Sequence, residues 1–162
     1  MTETFEDHLA RIAKIVRPLT MLEESEVVYL LKLATSLPDG DVAACGVCHG
    51  GDVIALHKAF EAKGQKRTIL AIDSFRGSSP PTPGKDDRPD RKGVLEAGTH
   101  DVGGIAHFWA NLSVFGIYPG HVAACEMWVT EENLKAIPHR TLALLWLDVN
   151  GYQPTLDALR YF

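Results

Sequence analysis

Three apolar runs, each closed by a turn or an acid, constrain this chain more than any other feature. Residues 42–47 read as a short buried strand, 67–73 ("RTILAID") as another, and 141–148 ("TLALLWLD") as the clearest, the last two ending on Asp73 and Asp148. Apolar runs of this length suit strands covered on both faces. The segments around them carry a helical period. Residues 3–17 repeat Phe5, Leu9, Ile12, Ile15 and Val16 before Pro18, and a second helix is predicted over about 23–36 from Val27, Val28, Leu30, Leu31 and Leu33. After a glycine loop, Val53, Leu56 and Phe60 continue at helical spacing as far as Gly64. A helix near 105–115, a strand over 121–127, a helical turn in "EENLKAI" and a last helix over 153–161 complete the pattern. Strands alternating with helices predict an α/β fold with a mainly parallel sheet and flanking helices. Residues 1–162 read as a single domain, with a helical N-terminal segment 1–36 and a long loop over 74–104, rich in Gly, Pro, Asp and Ser.

Composition narrows the classes of function. A chain of 162 residues, 46% hydrophobic, is large enough for a real core. Its net charge of −5 argues against a nucleic-acid partner, which wants a basic face. No apolar run approaches the length that spans a bilayer, so no membrane partner is expected. The opening "MTETFEDHLARIAKIVRPLT" has neither an apolar h-region nor a small-residue cleavage site. With three cysteines, an odd number, that predicts a reducing, cytoplasmic location.

The stretch "VAACGVCHGGDVIALHKAF" (42–60) admits several chemistries. Cys45, Cys48 and His49 spell the C-x-x-C-H of covalent haem attachment, which normally follows export and needs a second axial ligand. A C-x-x-C at a helix start also suits a thiol redox pair. Zinc would have to recruit Cys45, Cys48, His49 and Cys125, but Cys125 stands alone in the sequence. The plainer reading makes Cys45 a buried strand residue and Cys48 a small loop residue. Gly46, Gly50 and Gly51 then turn a strand into a helix whose N–H groups can face a ligand.

Open parallel sheets bind ligands at the carboxyl ends of their strands, where the glycine loop, Asp73 and Asp148 converge. An acid at Asp73 can accept both hydroxyls of a ribose, or simply cap the following turn. Asp148 with Asn150 suits a hard divalent cation or a general base, while Asn150-Gly151 also favours a tight turn by itself. His49 and His57 fit surface or packing roles. Trp109, Trp128 and Trp146 are core candidates, Trp128 with the option of flanking an adenine.

Three strings in order, "GDVAACGVCHGGDVIALHKAF", "ILAIDSFRG" and "LALLWLDVNGYQPTLDAL", resemble the macrocin O-methyltransferase family, and Thr20-Met21 fits that family's opening segment. The likeness runs from about residue 20 to 162. It implies a Rossmann-like class I methyltransferase fold and an S-adenosylmethionine-dependent O-methyltransferase acting on a sugar hydroxyl. Position by position, it implies that Gly46, Gly50 and Gly51 hold the amino-acid end of the methyl donor. Asp73, with Ser74 and Phe75, would bind its ribose and neighbouring loop. Asp148 would lie beside the acceptor hydroxyl as catalytic base or metal neighbour, Asn150 at a position for Mg2+, and residues 76–104 over the site.

The sequence departs from the family pattern at several points. Ala44 stands where an acid is usual before the glycine loop, Asn150 where a second acid is usual, and Gln153-Pro154 for a Glu-Ser pair. The family continues into a further strand ending in two acids of the magnesium site, so the chain is expected to hold about the first four strands of a seven-stranded sheet, as a truncated form. In the usual 3-2-1-4 order the fourth strand is an apolar edge, which predicts self-association as a homodimer or other homo-oligomer. The alternative function is a non-catalytic truncated relic or binding module that self-associates through this edge.

Overall fold

The computed structural model describes residues 4–87, 96–138 and 140–162. Helix α1 (Phe5–Val16) starts in a capping box, in which the Thr4 hydroxyl accepts from the Asp7 N–H at 3.2 Å and the Asp7 carboxylate accepts from the Thr4 N–H. A 3-10 turn (Arg17–Leu19) at Pro18 breaks it from α2 (Glu24–Ala34). Strand β1 (Asp41–Cys45), helix α3 (Gly51–Ala62) and β2 (Ile69–Asp73) follow. After the long loop come α4 (Ile105–Val114), β3 (Val122–Glu126), α5 (Glu131–Leu134), β4 (Leu142–Leu147) and α6 (Tyr152–Tyr161).

The four strands form one parallel sheet in the order β3-β2-β1-β4. Alternation along the central strands divides the core in two. Val42 and Ala44 of β1 with Ile69 and Ala71 of β2 face α1, α2, α3 and α4 through Leu30, Leu31, Leu56 and Phe108. Ala43, Cys45, Leu70 and Ile72 face the other way, onto Leu134, Ile137 and Ala158 around α5 and α6. Helices therefore cover both faces, as the continuous apolar runs of β1 and β2 require. β4 differs: all six residues from Leu142 to Leu147 are only half-buried, and among the described residues its one sheet neighbour is β1.

Residues 88–95, in the middle of the long loop expected over 74–104, lie outside the described residues. The two arms of that loop are tied together. Ser78 N–H donates to the Thr99 carbonyl at 2.7 Å, and Gly98 N–H donates to the Ser78 carbonyl at 2.9 Å. Farther out, Asp86 accepts from Thr82 N–H at 2.6 Å and from Tyr152 N–H at 2.9 Å, which fastens the loop to the start of α6. These bonds bring the loop across the carboxyl ends of the strands.

Candidate functional site

A cleft opens where β1, β2 and β4 end, lined in part by Gly46, Cys48, Asp73, Ser74, Asp148 and Asn150. Gly46 lies in the left-handed region, φ +82°, wedged between two strand ends. Its N–H donates to the Ile72 carbonyl, while a Cβ there would lie 2.2 Å from the Asp148 carbonyl oxygen. Only glycine fits. Asp73 then reaches across the glycine loop: one carboxylate oxygen accepts from Cys48 N–H at 2.8 Å, the other from Phe75 N–H at 2.7 Å. Asp73 thus caps its own turn, as one of its two expected roles requires, and also lines the cleft. Each oxygen keeps a further lone pair for a ligand.

The start of α3 lies under the same loop. A Cβ at Gly51 would come within 2.6 Å of the Leu19 carbonyl oxygen, so the chain before α2 is pressed directly against the helix terminus. This contact sets Met21, 61% exposed, on the cleft rim. Phe75 is fully buried against Phe108, with ring centroids 5.1 Å apart, and contributes to the site by packing rather than by facing the cleft. Gly50 likewise packs under the loop, close to Leu112 and Phe108.

Asp148 lines the opposite wall. Burial pushes its carboxyl above the ordinary range, Glu26 and Asp73 add to the rise, and His100 opposes it. Asn150 is exposed, with φ +58°, in a turn where Gly151 N–H donates to the Val149 carbonyl at 2.7 Å. Tight-turn chemistry accounts for it. Among the described residues no three His, Cys, Asp or Glu side chains come together as a metal site. One half-buried carboxyl beside one exposed amide does not suit Mg2+, which demands several well-placed oxygens.

The cysteines behave as packing residues. Cys45 is fully buried in β1 and its thiol is pushed up to about 12, while Cys48 is pushed up to about 11, both chiefly by burial. A redox pair needs the opposite shift. His49 stacks edge-on to His107 and His57 lies beside His121, and neither His49 nor His57 lines the cleft.

The family model described as macrocin O-methyltransferase (TylF) matches residues 28–162. The chain belongs to that family. Among solved structures, the O-methyltransferase NovP superposes with a TM-score of 0.71 at 22% identity, covering 89% of this chain and 61% of its own. The calicheamicin methyltransferase CalS11 superposes with a TM-score of 0.69 at 18% identity, covering 99% of this chain and 74% of its own. At these identities the likeness establishes the fold, a Rossmann-like methyltransferase core. The chain spans 61% of the length of NovP. No curated protein matches.

Within this macrocin O-methyltransferase-family fold, several cleft residues are not among the site residues the sequence predicts. His100, Ser78 and Ser79 arrive from the two arms of the long loop, Met21 from the segment before α2, and Val149 and Pro154 from around β4 and α6. Trp128, just past β3 and 38% exposed, also lines the cleft, where a flat base could lie. No described helix is long and apolar enough to cross a membrane.

Proposed function

We propose that the cleft binds S-adenosylmethionine and that the chain is an S-adenosylmethionine-dependent O-methyltransferase acting on a sugar hydroxyl. The observation that carries this reading is the convergence of Gly46, Asp73 and Asp148 on one cleft, in a chain of this family. The close approach at Gly46 leaves backbone, not side chain, facing the donor's amino-acid end. Gly50 and Gly51 support that loop from behind. Asp73 holds the loop by Cys48 N–H and keeps lone pairs for ribose hydroxyls, with Ser74 beside it. Trp128, which lines the cleft, would flank an adenine.

The bound donor supplies an electrophilic methyl group on a sulfonium. The acceptor hydroxyl would lie beside Asp148 and pass its proton to that carboxylate as its oxygen attacks the methyl carbon, the carbon–sulfur bond breaking to leave the neutral thioether S-adenosylhomocysteine. Burial makes Asp148 a stronger base than an ordinary aspartate, which favours this role. No step runs through a metal, because the donor set does not fit one. A sugar acceptor accords with CalS11, described as a TDP-rhamnose 3'-O-methyltransferase.

Calorimetric titration with S-adenosylhomocysteine tests the reading. Saturable micromolar binding, equal with and without Mg2+, is the expected result. A folded sample that binds nothing overturns it.

A second reading, a non-catalytic binding module, draws on β4. Its six uncharged residues, Leu142–Leu147, stand half-exposed at a sheet edge. Such an edge is a template for pairing with another copy. In this reading the protein elutes as a dimer and Leu145→Lys, which puts a charge in that edge, returns it to a monomer. A wild-type monomer at high concentration removes the reading.

A further inference from the structure

The start of α3 holds a buried carboxylate that the catalytic reading does not use. Asp52 is 4% exposed, in the first turn of the helix that follows the glycine loop. The Thr20 hydroxyl donates to one of its oxygens at 2.6 Å, and the Trp146 indole N–H donates to the other at 3.1 Å. Thr20 Oγ1 in turn accepts from Leu22 N–H at 3.2 Å, which shapes the segment carrying Met21. Trp146 lies two residues before Asp148, and its Cα partner across the sheet is Ala44 of β1. One carboxylate therefore joins the three pieces that frame the cleft: the helix under the glycine loop, the Thr20–Met21 rim and the end of β4.

We propose that Asp52 is a positioning residue of the methyl-donor site, setting Met21 and Asp148 against the glycine loop through Thr20 and Trp146. The assignment rests on the reading of the cleft as a methyl-donor site. Burial of a carboxylate is costly unless it is well hydrogen-bonded, and a merely structural partner for Thr20 and Trp146 would not need a charge. The charge sits where the positive end of α3 favours it. The ionisable groups facing Asp52 are Asp148 from the end of β4, which opposes its ionisation, and the Cys48 thiol of the glycine loop. Burial raises its carboxyl to about 6. The ionised form accepts both donors, whereas the protonated form turns a hydrogen toward one of them.

The test combines S-adenosylhomocysteine titrations across pH 5 to 8 with backbone amide spectra of the wild type, Asp52→Asn, Thr20→Val and Thr20→Ser. Positioning through an ionised Asp52 predicts three results. Asp52→Asn and Thr20→Val each weaken S-adenosylhomocysteine binding about tenfold while Thr20→Ser binds as wild type. Wild-type affinity falls as pH drops through the region of 6, and the Asp52→Asn profile is flat. The amide signals of Met21 and Asp148 move in both weakened variants. A folded Asp52→Asn protein that binds like wild type, or keeps the wild-type pH profile, overturns the proposal and leaves the methyl-donor reading standing. Should wild type not bind S-adenosylhomocysteine at all, the methyl-donor reading falls and this proposal falls with it. Amide shifts at Met21 and Asp148 would then mark Asp52 as a structural tie only.

Discussion

Gly46→Ala is expected to abolish S-adenosylhomocysteine binding and to cost about 3 kcal/mol of stability or more. Two independent strains add at this position. An alanine held at φ +82° carries on the order of 1 kcal/mol or more of backbone strain. The added methyl would also stand 2.2 Å from the Asp148 carbonyl oxygen and 2.6 Å from its carbonyl carbon, and these are backbone atoms of a strand end, not the tip of a flexible side chain. Relief requires β4 to move away from β1, which strains the Asp148 N–H bond to the Cys45 carbonyl at 2.9 Å and displaces the Asp148 side chain. Stability by urea unfolding and binding by calorimetry read the two losses separately. A Gly46→Ala protein with wild-type stability would mean that the strand ends are much less tightly joined than this register requires. Gly64→Ala is the matching control for backbone strain alone, since its φ is +64° and nothing lies within 4 Å of a Cβ there. It should lose only the strain and leave binding intact.

The contrast between these two glycines shows what a sequence does and does not disclose. Both end an apolar pattern and read alike as turn residues. Their difference lies in Asp148, far away in the chain, which closes over Gly46 and leaves Gly64 open. The fold itself was legible, because its signals are local or periodic. β1 and β2 read as apolar runs since helices cover both their faces, and Leu9, Ile12 and Val16 read as a helix because one face of α1 meets the core. β4 gave the same apolar signal as β1 although it is only half-buried. Apolarity marks a strand without saying how many neighbours it has.

The candidate site was legible where strand ends carry acids or glycines, as at Gly46, Asp73 and Asp148. It was illegible where backbone bonds do the placing. His100 reaches the cleft because the arms of the long loop pair through Ser78, Gly98 and Thr99, and main-chain pairing between loop arms leaves no side-chain pattern. The dual use of Asp73 was hidden for the same reason, since both its partners are N–H groups. Asp52 was hidden by distance along the chain. It reads as an ordinary acid in the first turn of a helix, whereas its partners lie 32 and 94 residues away.

That buried acid gives the second large effect, a pH dependence of stability opposite to the one carboxylates usually impose. Asp52 ionises near 3.8 in the unfolded chain and near 6 in the folded one. Between those values the folded form binds more protons, so its stability falls as pH rises through the window and levels off above it. The shift corresponds to about 2 kcal/mol lost between roughly pH 4.5 and 7.5. Asp148, also raised, works in the same direction. Asp41 and Glu61 are held below their ordinary values by Arg140 and Lys58, so their contributions are lost instead as pH falls into the acid range. The comparison that isolates Asp52 is therefore wild type minus Asp52→Asn at each pH. The amide keeps a neutral group of the same shape at every pH, its N–H turned to the Thr20 hydroxyl, which can accept, and its oxygen left to the Trp146 N–H. The variant should thus lie close to wild type near pH 4.5, where both carry a neutral group, and exceed it by about 2 kcal/mol at neutral pH as wild type takes on its buried charge. Urea unfolding at the two pH values measures that change. A gap that stays constant would mean that Asp52 ionises as readily in the folded protein as in water, which its burial between Thr20 and Trp146 does not allow.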